Sequence, residues 1–272
     1  MDIKTTVTLN NQIKMPMFGL GTYTLRGKAA VSALHEAFRN GYRLLDTASF
    51  YGNEREIGEA IRTSEIPREE FFVTTKLWNS DHGFQKTLKA FDRSLQLLQL
   101  DYIDLFLIHW PVSNKRKESW KAFESLYETN QVQAIGVSNY MIHHLQELLQ
   151  DCIIRPTVNQ IEFHPFHYRK DLLSYCKHHS IQVEAYSPLT KGHRLHDPRL
   201  GSVATKYSKT PAQLLIRWVL QHDVIVIPKS GNPERIRENS EVFDFAISKE
   251  DMEALDTLDV QYISSWDPTD TP

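Results

Sequence analysis

Apolar positions along the chain alternate between short, dense runs and longer amphipathic stretches, with polar loops between them. The short runs lie at residues 17–20, 44–46, 71–76, 103–108, 134–137, 157–160, 182–185 and 225–227. Phe71-Phe72-Val73-Thr74-Thr75 and the run 103–108 are almost continuously apolar or β-branched, as parallel strands covered on both faces are. The stretches between them have helical spacing. Ala30, Leu34, Ala37 and Phe38, and likewise Leu88, Phe91, Leu95 and Leu98, recur at three- and four-residue intervals, and core packing alone accounts for them. Ahead of the first run, residues 7–15 alternate around Asn10-Asn11, a dipeptide that tolerates left-handed backbone, which predicts a β-hairpin capping one end. Asn53 before Glu54 and Glu56 marks a helix N-cap, and Ser248 with Asp251 forms a capping-box pattern at a late helix spanning 248–258. Two helical segments, 199–206 and 211–222, fall between the seventh and eighth runs, so one is additional. With no internal repeat, low-complexity stretch or linker, eight such units predict an α/β fold, a (β/α)8 TIM barrel forming a single domain over 1–272.

Composition narrows the function. Length alone, at ~150 residues per domain, suggests two domains, but barrels of roughly 250 residues form one. Hydrophobic residues make up 41% and charged ones 24% of the 272, an ordinary globular profile. The formal charge of −3 comes without a basic run, which argues against nucleic acid or a polybasic membrane anchor. No apolar stretch nears the ~18 residues of a membrane span, and the first residues lack a signal-peptide core, so a cytoplasmic protein is expected. Cys152 and Cys176 have neither disulfide-framework nor zinc spacing.

In a barrel of this kind the active site is built from the C-terminal ends of the strands and the loops after them. Reading those ends gives Asp46 with Tyr51, Lys76, His109 with Trp110, Ser138-Asn139, Gln160, Tyr186-Ser187 and Lys229-Ser230. No metal site is expected, because the adjacent His143 and His144 diverge on a helix and His109 stands alone. A serine nucleophile is disfavoured as well, since Gly136-Val137-Ser138-Asn139-Tyr140 lacks the last glycine of a nucleophile elbow. Proton and hydride chemistry remains. A phenol with a pKa near ~10 becomes a useful acid when a cation lowers that value, and Lys76 is the expected cation for Tyr51, with Asp46 holding the ammonium. His109 would polarise a carbonyl while Tyr51 supplies the proton. No side chain donates a hydride, so a cofactor is required. Lys229 and Arg235, flanking a helix start after the eighth run, fit a phosphate dianion and favour NADPH over NADH.

These motifs, in this order, resemble the aldo-keto reductases along nearly the whole chain. The resemblance rests on Gly19-Leu20-Gly21-Thr22, on Gly41-Tyr42-Arg43-Leu44-Leu45-Asp46-Thr47-Ala48 followed by Tyr51-Gly52-Asn53-Glu54, and on Thr75-Lys76-Leu77-Trp78. It continues through Asp101-Tyr102-Ile103-Asp104-Leu105 with His109-Trp110-Pro111, Ile135-Gly136-Val137-Ser138-Asn139-Tyr140, Asn159-Gln160-Ile161-Glu162, Ala185-Tyr186-Ser187-Pro188-Leu189 and residues 227–239. It implies a catalytic tetrad of Asp46, Tyr51, Lys76 and His109, and NADP(H) bound without a Rossmann fold. The implied cofactor contacts are Gly21 and Thr22 near the start; Ser138, Asn139 and Gln160 at the nicotinamide carboxamide; Tyr186 stacking on the ring; and Ser187 and Leu189 at the pyrophosphate. Residues 190–197 would form a covering loop, Lys229, Ser230 and Arg235 would hold the 2′-phosphate, and Glu238 and Asn239 would meet adenine.

Tyr23, Phe50, Trp78 and Trp110 match walls of the substrate pocket. Tyr23 replaces the Trp of many relatives, and Ser49-Phe50 replace the His-Val of some. The tail 259–272 and the loop 112–117 are short, similar to microbial members of the type of glyoxal or methylglyoxal and 2,5-diketo-D-gluconate reductases, which implies an open pocket for small aldehydes, ketoaldehydes and keto sugars. A monomer that reduces small carbonyl compounds is therefore expected. The alternative is a cofactor-binding accessory or sensor module of the same fold with little turnover.

Overall fold

In the computed structural model, which describes residues 1–271, eight parallel strands run in chain order around a barrel. Pro272, the last residue of the expected tail and domain, lies outside the described residues. The hairpin strands are β1 (Thr6–Thr8) and β2 (Lys14–Pro16). The barrel strands are β3 (Gly19–Gly21), β4 (Leu44–Asp46), β5 (Phe72–Leu77), β6 (Ile103–Ile108), β7 (Val132–Ser138), β8 (Val158–Glu162), β9 (Gln182–Tyr186) and β10 (Ile225–Val226). Single parallel bridges, Phe18 to Val226 and Gly21 to Lys229, close the ring. Val226 N donates to Met17 O at 3.0 Å, so the first expected strand contributes its start to closure and its end to the ladder.

The helices are α1 (Gly27–Arg39), α2 (Glu54–Arg62), α3 (Phe84–Leu98), α4 (Arg116–Glu128), α5 (Ile142–Asp151), α6 (Lys170–His178), α7 (Pro198–Lys206), α8 (Pro211–Gln221), α9 (Pro233–Ser240) and α10 (Lys249–Asp256). Three of them begin at Pro preceded by a capping side chain: Asp197 before α7, Thr210 before α8 and Asn232 before α9. Pro at the first helical position needs no donor there, and the preceding oxygen satisfies a free N–H. Helix α7 is the additional one. Among the described residues, no helix is long and apolar enough to cross a membrane.

Three local expectations change. The hairpin turn is longer than a two-residue one: its left-handed φ falls on Gln12 at 71°, while Asn10 and Asn11 donate to Pro156 O (3.0 Å) and Gln133 O (2.9 Å) and fasten the hairpin to the barrel. Asn53 occupies the N-cap of α2 without capping it. Its amide instead donates to Thr22 O and Leu25 O and accepts from Thr47 Oγ1 at 2.7 Å, tying three loops together. Ser248 caps α10 through Asp251 N, but the Asp251 carboxylate is taken by Lys206 and Tyr207, so the reciprocal half of the box is absent.

Several strands also run past their apolar segments. Ser138 pairs with Gln160, and Glu162 with Tyr186, so the ladder carries polar residues up to the barrel's C-terminal mouth.

Candidate functional site

Four side chains meet at that mouth. Asp46 ends β4, and Lys76 lies on β5, fully buried. The Lys76 ammonium donates to Asp46 Oδ1 at 2.7 Å and to Thr47 O at 2.9 Å, and stands 3.4 Å from Tyr51 Oη. An ammonium has three donors, so two anchor it and the third faces the phenol. Tyr51 ends a one-turn helix, Ser49–Tyr51, closed by Gly52 at φ 64°, a left-handed corner that glycine adopts without strain. His109, one residue past β6, has its ring centroid 5.7 Å from that of Tyr51.

Burial sets the electrostatics. His109 is held well below the usual imidazole value, first by desolvation and then by the Lys76 charge, so it is neutral near pH 7. Its Nδ1 is buried without a hydrogen-bond partner among the described residues, which leaves Nε2 to meet a substrate. Tyr51 departs from expectation: its pKa is raised well above 10, by desolvation first and then by Asp46, Tyr23 and Glu184. The expected lowering by Lys76 is not seen, because the ammonium sits closer to the Asp46 carboxylate than to the phenol and its charge is largely offset there.

Ser138, Asn139, Gln160 and Tyr186 form one linked set. Ser138 Oγ donates to Gln160 O, Asn139 Nδ2 to His109 O, and Tyr186 Oη to Asn139 Oδ1 at 2.8 Å. Asn139 and Ser187 both take left-handed backbone (φ 64° and 49°), which turns the chain sharply at the ends of β7 and β9. The loop 190–197 is tied down by Lys191 Nζ to Ser264 O (2.5 Å) and by His193 Nδ1 to Tyr262 Oη (2.8 Å), with Leu189 half-buried before it. Thr22 is buried, with its Oγ1 donating to Asp46 O.

At the start of α9, Ser230 is buried while Lys229 and Arg235 are exposed. Neither cation makes a hydrogen bond or ion pair through its side chain among the described residues. Asn239 is buried on the inner side of α9. Glu238 is partly committed, since its Oε1 accepts from Thr210 Oγ1 at 2.6 Å.

Aromatic rings surround the mouth. Phe50 stacks on Trp78 at 3.8 Å, Trp78 meets His109 edge-on at 5.1 Å, and Tyr23 lies 5.0 Å from Tyr51. Trp110 is buried against Trp266 at 4.7 Å.

Residues 17–260 match the model of the Aldo/keto reductase family. The chain belongs to the aldo/keto reductase family. It is thereby an NADP-dependent oxidoreductase of carbonyl compounds. It is 49% identical over 257 residues to a glyoxal reductase of Bacillus subtilis, covering 94% of this chain and 93% of that one. An aldo-keto reductase from a Medee basin deep-sea metagenome library superposes with a TM-score of 0.95 at 45% identity, covering 98% and 99% of the two chains. A Bombyx mori aldo-keto reductase in complex with NADP superposes at 0.89 with 34% identity, covering 96% and 94%.

The donor set of this family member suits an NADP phosphate: two cations without side-chain partners among the described residues, beside a buried hydroxyl at a helix N-terminus, can bind a dianion. Sequence reasoning missed two residues. Trp266 lies in the short tail, where only a tryptophan standing in a largely polar segment could have drawn notice; its ring is exposed. Glu184 reads as an ordinary polar position of β9, yet it is fully buried inside the barrel.

Proposed function

We propose that this family member uses NADPH to reduce aldehydes and some ketones to alcohols, with Tyr51 as the proton donor. The observation that carries the reading is the Tyr51 phenol facing the third donor of a Lys76 ammonium fixed by Asp46 and Thr47. When bound, NADPH supplies a hydride to the carbonyl carbon. The neutral His109 donates through Nε2 to the carbonyl oxygen and orients it. Tyr51 then gives its proton to that oxygen: the phenol O–H breaks, the alcohol O–H forms, and Lys76 meets the resulting tyrosinate. A raised Tyr51 pKa suits this direction, because the phenol is fully protonated before the reaction.

Lys229, Ser230 and Arg235 grip the 2′-phosphate, with Glu238 and Asn239 at adenine. Ser187 and Leu189 flank the pyrophosphate, and Gly21 and Thr22 line the floor. Tyr186 stacks on the nicotinamide, whose carboxamide meets Ser138, Asn139 and Gln160. Tyr23, Phe50, Trp78 and Trp110 wall a pocket for small carbonyl substrates, and the similarity to a protein named glyoxal reductase supports compact dicarbonyls among them. The strands close into one barrel within the chain and the named groups gather at its mouth, so the reading is of a single barrel domain acting as a monomer.

The test follows NADPH absorbance with methylglyoxal, an aromatic aldehyde, a keto sugar and an aldose, alongside Tyr51→Phe. The wild type is expected to consume NADPH, and the variant to bind it with turnover lowered by about 10²- to 10⁴-fold, the worth of general acid catalysis. Full turnover by Tyr51→Phe would overturn the proton-donor role. NADPH binding with no turnover of any carbonyl by the wild type would favour an accessory or sensor module.

A further inference from the structure

The proposed reaction gives no task to the carboxyl group of Glu184. Glu184 sits two residues before Tyr186 on β9, wholly buried in the barrel interior. Branched apolar residues usually fill that space, and a carboxyl group there costs stability unless its partners compensate. One partner is clear: Gln160 Nε2 donates to Glu184 Oε2 and to Asp46 Oδ2, both at 2.7 Å. Glu184 Oε1 is buried without a hydrogen-bond partner among the described residues.

A primary amide nitrogen carries two hydrogens. Both of those on Gln160 are committed to carboxyl groups, so its carbonyl oxygen is the only end able to meet an incoming donor. Asp46 alone would hold one hydrogen and leave the amide free to reorient about its terminal bond. We propose that Glu184 is a positioning residue that, opposite Asp46, locks the Gln160 amide so that its oxygen faces the nicotinamide carboxamide and accepts a hydrogen bond from it. The inference rests on the reading of Gln160 as a carboxamide contact and adds what fixes its orientation.

Burial, and after it the Asp46 charge, push the Glu184 pKa up to about 8, so the group is largely neutral at pH 7. A neutral carboxyl still offers a carbonyl oxygen to Gln160. Glutamine at 184 would offer the same acceptor, whereas leucine would offer none.

The experiment measures binding of NADPH and of its 3-acetylpyridine analogue by protein fluorescence. The analogue replaces the amide by a methyl ketone, so it accepts hydrogen bonds but donates none. Wild type and Glu184→Gln are expected to prefer NADPH by about tenfold, the worth of one hydrogen bond plus one acceptor left unpaired. Glu184→Leu should lose most of that preference, as the freed amide turns its nitrogen to the ketone. If leucine does not fold at this site, Glu184→Met takes its place.

Retention of the wild-type preference by the apolar variant would overturn the role of Glu184. Gln160→Leu separates the two readings. If it keeps the preference, the underlying assignment of Gln160 falls. If it loses the preference while Glu184→Leu keeps it, the assignment stands and the lock does not.

Discussion

Arg235 tests cofactor choice at the scale of a single side chain. Its guanidinium is exposed at the first turn of α9 and makes no hydrogen bond or ion pair among the described residues, which leaves it available to a phosphate. A charge-assisted hydrogen bond contributes about 1.5 to 3 kcal/mol. Arg235→Ala is therefore expected to weaken NADPH binding by about 10- to 150-fold and NADH binding by less than about threefold, measured as dissociation constants by fluorescence. Equal losses for both would remove Arg235 from the 2′-phosphate site. Residues of this kind are legible in sequence because the barrel's topology alone places strand ends at the mouth: Asp46, Lys76 and His109 needed only the strand pattern. The acidity of Tyr51 was not legible. Its sign depends on whether the Lys76 charge is free or already paired, and that is decided by a 2.7 Å contact with a residue thirty positions away. Glu184 was hidden for a related reason, since one Glu in Gln182–Tyr186 looks like the polar phase of a half-exposed strand until the barrel closes around it.

Elements were easier to read than their edges. Strands covered on both faces announce themselves as apolar runs, and β4 and β6 coincide with the runs 44–46 and 103–108. Strands β7, β8 and β9 extend further because main-chain pairing continues where polar side chains interrupt the apolar pattern. The spacing between helices is where small residues count. In α2, a Cβ on Gly58 would lie 2.0 Å from Leu98 O, the backbone at the end of α3, which no side-chain movement can relieve. Gly58→Ala must push α2 from α3, and overpacking of this severity costs about 3 kcal/mol. At about 2 to 4 °C per kcal/mol for a chain of this order, Tm should fall by roughly 6 to 12 °C. Gly201 in α7 supplies the contrast, because a Cβ there meets nothing within 4 Å. Gly201→Ala should leave Tm unchanged or raise it slightly through helix propensity. Equal effects at the two positions would mean that the α2–α3 approach is not tight in solution.

Across the whole molecule the apolar packing lies between strands and helices, whereas the barrel's centre is crossed by a polar line of Lys76, Asp46, Gln160 and Glu184. Buried titratable groups outside that line and within it shape stability on the two sides of neutral pH. On the acid side, His82, His144 and His167 are held down to about 4 by burial, and His109 also lies well below 6.5. As pH falls through 6.5 the unfolded chain takes up protons that these sites refuse, and stability drops. Glu184 acts in the opposite direction. Its carboxyl stays protonated in the folded protein up to about 8, while in the unfolded chain it ionises near 4.5. Between those values the folded state binds the extra proton, so stability declines as pH rises, by about 1.4 kcal/mol per unit. Glu184→Gln removes this single titration and leaves every histidine, Asp46, Lys76 and Tyr51 in place. The Tm of the variant minus that of the wild type should therefore be small at pH 5, grow steadily towards pH 8 and then level off, whereas a difference that stays flat across this range would show that Glu184 is already ionised inside the folded barrel.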